Sequence, residues 1–313
     1  MNLDVTAIVL QTVVLLALAP LVTGIIKNWK ARLQNRRGPP VWQLYLDLHK
    51  SFRKDMVIST HASWIFSFAP HVVFITALLA GLMVPMLTVQ APLSLFGGAL
   101  ALIGLLALGR FFLALGGLDP GSAFGGMGSS REMTIAAIAE PALMLAIFTL
   151  AIAAHSTDLS RIVAATLGPG WSLLSPMHVL AFAALFIVLL AETGRLPVDN
   201  PATHLELTMI HEAMLLEYSG RHLALMEWGA SIKQLVLMTL LVNVFFPFGI
   251  ATAAPSGLAL SLLAYGAKLL VLASFVVIVE TTNAKLRLFR VPDLLSAAFV
   301  LAGLSLLSTF LFQ

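Results

Sequence analysis

The chain has no cysteine, and only 11% of its 313 residues are charged. Without cysteine it offers no thiolate to an iron–sulfur cluster or a thiolate metal site, and no cysteine nucleophile. A soluble domain carries roughly 25% charged residues. A chain with less than half that share, 59% hydrophobic residues and a mean hydropathy of +0.96 cannot hide its apolar surface in one core. These shortages exclude a cytosolic globular enzyme, a disordered chain and a disulfide-stapled secreted module.

What the sequence has instead is long apolar runs. A bilayer core of about 30 Å is crossed by about 20 apolar residues. Eight segments qualify, at roughly 4–26, 64–88, 93–115, 133–154, 176–191, 234–252, 257–279 and 293–312. The fifth is short but continues helically into 192–195. The first is not a signal peptide: no cation precedes it, its apolar run is too long, and the basic cluster follows it. The expected fold class is all-α, a polytopic integral membrane protein of about eight transmembrane helices. No internal repeat or flexible linker interrupts it, so residues 1–313 form a single integral membrane domain.

The scarce charges are unevenly placed. Lys27, Lys30, Arg32, Arg36, Arg37, Lys50, Arg53 and Lys54 fall between the first two spans. Arg110 and Arg131 flank the next loop on that side, followed by Arg195, Arg221 and Lys233, then Lys285, Arg287 and Arg290. The other side has only Arg161, and Lys268 lies mid-span. The positive-inside rule makes the basic side cytoplasmic, and an even number of spans puts both termini outside. The basic cluster then reads as a topology signal and an anchor for the lipid bilayer, with no nucleic acid as partner. Trp29, Trp42, Trp64 and Trp171 lie near span ends, as an interfacial belt requires.

Ionisable groups inside a membrane domain are costly and mark function by default. Glu192, Asp199, Glu206, Glu212, Glu217 and Glu227 crowd the third cytoplasmic loop, and Glu140 and Glu280 lie at or inside span ends. Glu227 and Asp55 read as solvated surface acids. Asn200-Pro201 reads as an N-cap followed by proline at the first helical position, with a helix running to about Ser219 and Gly220 ending it. At about 100° per residue, Glu206 and Glu217 fall on the apolar face of that helix, opposite His204 and His211. Solvated acids sort to the polar face, so these two point toward the bundle or a wet cavity, where they can hand on a proton. Lys268 has no carboxylate within a turn and must find its partner on another helix. Glu140 precedes Pro141, which frees a backbone carbonyl, so a partly hydrated interior site is expected there.

Several motifs fail. His211-Glu212 begins like a zinc-protease helix, but position 215 is leucine. GGLDPGSAFGGMGSSRE lacks a lysine and follows no strand, so it is no phosphate loop; Ser129 or Ser130 reads as the cap of the next helix. No residues complete a metal shell around His204 and His211.

Taken together, the motifs resemble a family. NRRGPPVWQLYLDLHKSFRKDMV is similar to the first cytoplasmic loop of the heel subunit of respiratory complex I, the NADH dehydrogenase subunit 1 family. GSSREMTIAAIAEP resembles its arginine-then-membrane-glutamate motif, here Arg131 and Glu140. AETGRLPVD resembles its next motif through Glu192, Arg195, Pro197 and Asp199. Lys268 matches a late-span lysine, and Arg287 and Arg290 fall in an arginine-rich loop. The departures point to one branch. Gly194 and Val198 replace an asparagine and a phenylalanine, and Ala202 and His204 stand where quinone-reducing relatives carry two glutamates. Glu280 stands near an expected arginine. DNPATHLELTMIHEAMLLEYSG and NAKLRLFRVP resemble the membrane subunits of group 4 nickel–iron hydrogenases, the branch of the hydrogenase-4 and formate hydrogenlyase complexes.

The resemblance implies a membrane-anchoring, proton-conducting subunit of a hydrogenase complex. It would link a peripheral redox arm to proton-pumping, antiporter-like membrane subunits. The implied partners are the hydrogenase large and small subunits and a ferredoxin-like Fe–S subunit. They would carry the [NiFe] centre and the Fe–S clusters, with no cofactor or metal bound by this chain. Glu140, Glu192, Asp199, Glu206, Glu212, Glu217 and Glu280 would line the proton pathway, tuned by Lys268. Arg36, Arg37, Gly38, Pro39, Arg195, Arg287 and Arg290 would seat the arm. The implied location is a bacterial or archaeal cytoplasmic membrane. Two other readings stay open: the quinone-site subunit of a complex I-type dehydrogenase, and a stand-alone ion transporter.

Overall fold

The structure, a computed structural model, describes residues 5–94, 98–168, 175–200, 209–251 and 258–311. Among them there is no strand, only one isolated bridge between Thr88 and Ala251. The helices are α1 (Val5–Leu33), α2 (Gln43–Arg53), α3 (Trp64–Met83), α4 (Ala99–Leu118), α5 (Ala123–Ala153), α6 (Leu159–Thr166), α7 (Pro176–Glu192), α8 (His211–Leu215), α9 (Gly220–Phe245), α10 (Leu258–Thr282) and α11 (Val291–Leu311). Seven of them are long and apolar enough to cross a membrane, and α7 is apolar but only 17 residues long. The chain is therefore a multi-pass membrane protein.

Local chemistry sets several helix starts. Side-chain oxygens of Ser63, Ser122, Asp158 and Ser175 accept from the first-turn amides of α3, α5, α6 and α7, satisfying donors that a helix cannot satisfy itself. Ser122 corrects the expectation for the glycine-rich stretch. Residues 123–131 are helical, and Ser129 lies within α5 and donates to Ala114 O at 2.9 Å. Likewise α9 starts well before the expected 234, at Gly220, and α7 stops at Glu192.

Over the described residues 209–219, the long helix expected from 201 to 219 is not continuous. Residues 201–208, with His204 and Glu206, lie outside the described residues, as does Trp171. Beyond 208 only His211–Leu215 is helical before α9, followed by a turn at 216–217. The apolar face inferred for a continuous helix therefore does not carry to its far end.

In a lipid environment helices associate by close packing and by satisfying backbone groups, not by apolar burial alone. α9 sits at the centre, touching α1, α2, α3, α7 and α10. The chain after α1 folds back along it: Asn28 donates to Pro39 O at 2.8 Å, and Gly24 packs so tightly that a Cβ would lie 1.9 Å from Val41 O. In the last turn of α3 and just beyond it, Gln11 donates to Gly81 O and Val84 O, and Asn243 to Pro85 O and Met86 O, all at 2.8–2.9 Å. These buried polar side chains stand in for the helix hydrogen bonds that the chain loses there.

Candidate functional site: a buried charge network

Two ion clusters meet on either side of α9. Arg110 stands in the middle of α4, an otherwise apolar helix, beside Gly109, which keeps the approach of Thr76 on α3 open. Its guanidinium ties three carboxylates. Nη1 binds Glu140 and Nη2 binds Glu192, while Nε lies 3.6 Å from Glu132. Glu132 and Glu140 come from α5, Glu192 from the last residue of α7. The other oxygen of Glu192 lies 2.8 Å from Lys233 Nζ on α9.

The second cluster begins one residue further along α9. Gln234 Oε1 accepts from Arg195 Nη2 at 2.8 Å and from Thr23 of α1 at 3.2 Å. Arg195 Nη1 donates to Glu280 of α10 at 2.8 Å, and Lys30 of α1 lies 2.9 Å from the other Glu280 oxygen. Arg110, Glu192, Arg195 and Glu280 are each under 9% exposed. Buried charges survive only when paired and hydrogen-bonded. Here four cations (Arg110, Lys233, Lys30, Arg195) face four carboxylates (Glu132, Glu140, Glu192, Glu280). The balance is not local: the Arg110 side has one carboxylate in excess and the Glu280 side one cation. A site with one surplus carboxylate can take up one proton and become neutral.

Asp199 forms a third pair. It binds Lys285 Nζ at 2.9 Å and accepts from the amides of Asn200, Ile210 and His211. It thereby fixes the chain on both sides of 201–208.

The structure thus brings together Glu140, Glu192, Glu280 and Arg195, while Asp199, close by in sequence, keeps its own pair. Arg195, expected at a partner surface, is instead buried among these charges. Glu217 is exposed, which overturns its inward placement; the helix that would have turned it inward ends at Leu215. Glu212 is half-buried near Glu227, which also faces Lys27. Lys268 is not brought to the acids. Its ammonium donates to Asn243 Oδ1 at 2.8 Å and to Phe246 O at 3.1 Å, where α9 ends. Arg36, Arg37, Pro39, Arg287 and Arg290 are exposed, and a Cβ on Gly38 would lie 2.7 Å from that of Ala31. Arg110, Lys233, Lys30 and Glu132 were not expected as site residues. The available signal was Arg110 alone in a 20-residue apolar helix, which reads from sequence as the flank of a loop. Among the described residues no group of three or more His, Asp or Glu is placed to hold a metal ion.

The family model described as NADH dehydrogenase matches residues 5–312. The chain belongs to the NADH dehydrogenase family. Within it, hydrogenase-4 component C of Escherichia coli (strain K12) is 39% identical over 297 residues, covering 94% of this chain and 92% of that protein. Formate hydrogenlyase subunit 4 of the same organism is 37% identical over 300 residues, covering 96% of each. An NADH-quinone oxidoreductase subunit of Caulobacter vibrioides is 30% identical over 251 residues, covering 74% of this chain and 69% of that one. The expected branch of the family is thus the one with the stronger likeness. A chain from the solved structure of the membrane-bound sulfane sulfur reductase, an archaeal respiratory membrane complex, shares the fold. It superposes with a TM-score of 0.84 at 22% identity, covering 96% of this chain and 98% of that one.

Proposed function

We propose that this chain is the membrane-anchoring, proton-conducting subunit of a hydrogenase complex. In this reading it links a peripheral arm, with its NiFe centre and Fe–S clusters, to antiporter-like membrane subunits. The observation that carries the reading is a pair of charge clusters inside the helix bundle, Glu132, Glu140, Arg110, Glu192 and Lys233 in one and Arg195, Glu280 and Lys30 in the other, held by the adjacent residues Lys233 and Gln234 of α9. Such a network is expensive in a bilayer and marks an ion path. The likeness to hydrogenase-4 component C and formate hydrogenlyase subunit 4 supplies the partner class. The donor set does not fit an Fe–S cluster, because there is no cysteine. Protons and docking are therefore the tasks assigned here: Glu140, Glu192, Asp199 and Glu280 to the path, and the exposed Arg36, Arg37, Pro39, Arg287 and Arg290, with Gly38, to the arm. The basic loops face the cytoplasm of a bacterial or archaeal cell and both termini face out.

The test is Glu192→Gln in the assembled complex, in sealed membrane vesicles. Electron turnover should persist while protons moved per turnover fall severalfold. Native coupling would overturn the proposal.

A quinone-site reading is favoured by one observation. An apolar groove of about 170 Å³ lies between α1 and α10, lined by Leu18, Val22, Ile25, Leu269 and Ala273 among others. Block of electron transfer by a quinone-site inhibitor would favour that reading instead.

A further inference from the structure

We infer that His211 is the relay by which protons reach the charge network, passing them through a single water to Lys233 and Glu192. The inference rests on the proton-conducting reading above. It starts from a cavity of about 30 Å³ bounded by α3, α4, α8 and α9, with Thr76, Arg110, His211 and Lys233 among its lining residues. A water needs roughly 10–15 Å³ and two to four polar partners; this cavity has the volume, and four polar residues line it. Its remaining walls, including Leu106, Leu113 and Met226, are apolar. They leave the polar groups as the ones placed to take part in a transfer.

Among those groups the roles separate by chemistry. The arginine stays charged at any physiological pH, and threonine does not titrate. Histidine is the residue type that takes up and releases protons between pH 5 and 8. Exposure gives the direction. Arg110 is 4% exposed, whereas His211 is half-buried and so reaches from the protein surface to the cavity. Its backbone is held in place: the His211 amide donates to Asp199 Oδ2 at 3.3 Å. Its Cβ packs over Gly194, where φ is +57° and an added Cβ would lie 3.3 Å away. The charged groups around it are Arg110 from α4, Lys233 from α9, Glu192 from α7, and Glu132 and Glu140 of α5 behind Arg110. Among the described residues, Asp199 with its partner Lys285, and the neighbouring Glu212, are the others.

The transfer balances. The ammonium of Lys233 gives a proton to Glu192 Oε2, 2.8 Å away, breaking an N–H bond and forming the carboxylic O–H. The resulting amine takes a proton from the cavity water, and the water takes one from the His211 imidazolium. The net change is one proton moved from His211 to Glu192. Lys233 and the water are restored, and the neutral imidazole is ready to be reprotonated from the surface.

The test uses the assembled complex in sealed vesicles, with proton movement followed by a pH-sensitive dye between about pH 5 and 8. The native complex should show one ionisation in that range. His211→Gln keeps size and hydrogen bonding but cannot titrate there. It should lower proton movement roughly tenfold or more and abolish that ionisation, with partner subunits still co-purifying. His211→Ala should lose the same activity and regain part of it when free imidazole is added, which a merely structural role would not allow. A native rate and pH profile in His211→Gln, or no imidazole rescue in His211→Ala, would overturn the inference. Glu192→Gln separates the failures: if it uncouples while His211→Gln does not, the relay falls and the proton path stands. If neither uncouples, both fall. Should His211→Gln fail to assemble, the native pH profile decides, and a profile flat through the histidine range overturns the relay.

Discussion

Arg110→Met removes the group on which three carboxylates depend. The Arg110 side chain is 2% exposed, and its guanidinium contacts Glu132, Glu140 and Glu192 from two different helices. Methionine replaces most of the stem, so little of the cost comes from packing. The cost is electrostatic: Glu192 keeps Lys233, but Glu132 and Glu140 lose their cation. Removing one partner of a buried ion pair costs about 3–5 kcal/mol, against a total stability of about 5–15 kcal/mol for a typical domain. Arg110→Met should therefore cut the amount of assembled chain in membranes several-fold. The thermal midpoint of the purified complex in detergent should fall by roughly 10 °C. Arg110→Lys should lie in between, because one ammonium keeps the charge but cannot present a fork to separate carboxylates. The double variant Arg110→Met/Glu132→Gln removes the more buried of the two orphaned acids. It should recover at least about 1 kcal/mol relative to the single variant, since contacting residues couple. A native midpoint for Arg110→Met, or strict additivity in the double variant, would refute the view that this arginine holds the acids together.

Three further outcomes follow from the same contacts. Lys268→Met should leave proton coupling unchanged and cost about 1 kcal/mol of thermal stability through its lost hydrogen bonds; uncoupling in vesicles would restore it to the proton path. Gly24→Ala should displace the segment carrying Val41, whose carbonyl oxygen would lie 1.9 Å from the new Cβ, at a cost of roughly 1–3 kcal/mol. Faster protease cleavage between residues 34 and 42 checks it. Glu280→Gln should leave Lys30 and Arg195 without a counter-charge and lower assembly by more than Glu217→Gln, which lies at the surface; equal yields of the two would count against the pairing.

The membrane class, the family and most spans were legible because length and hydropathy integrate over 20 residues and tolerate local error. Glu140, Glu192, Asp199, Glu280 and Lys268 were legible as costly charges in apolar surroundings, a local property. Their partners were not. Arg110 and Glu192 are 82 residues apart and Arg195 and Glu280 are 85 apart, and no sequence period links them. Helix boundaries failed where side chains overrule composition. Glycine-rich residues 123–131 looked like a loop, yet Gly125 packs where a Cβ would lie 2.1 Å from Gly117 O. Small residues there let α4 and α5 pack closely rather than unravel. Glu217 failed for the opposite reason, because a helical wheel extrapolates a face only while the helix lasts, and this one ends at Leu215.

Charge balance across α9 explains why the site is spread over so many helices. Within the Arg110 cluster, three carboxylates share two cations; within the Glu280 cluster, two cations share one carboxylate. Each half alone would carry a buried net charge, whose cost in a low-dielectric interior is several kcal/mol. Together they cancel, joined through Lys233 and Gln234, adjacent on one helix. Neutrality is thus a property of the pair. A proton taken up by Glu192 leaves the Arg110 cluster neutral and the Glu280 cluster with its excess cation unopposed. That imbalance is felt at Lys30 and Arg195, on the far side of α9 from where the proton arrived. A network neutral only as a whole therefore carries the electrostatic consequence of protonation across the bundle without any large movement of the backbone.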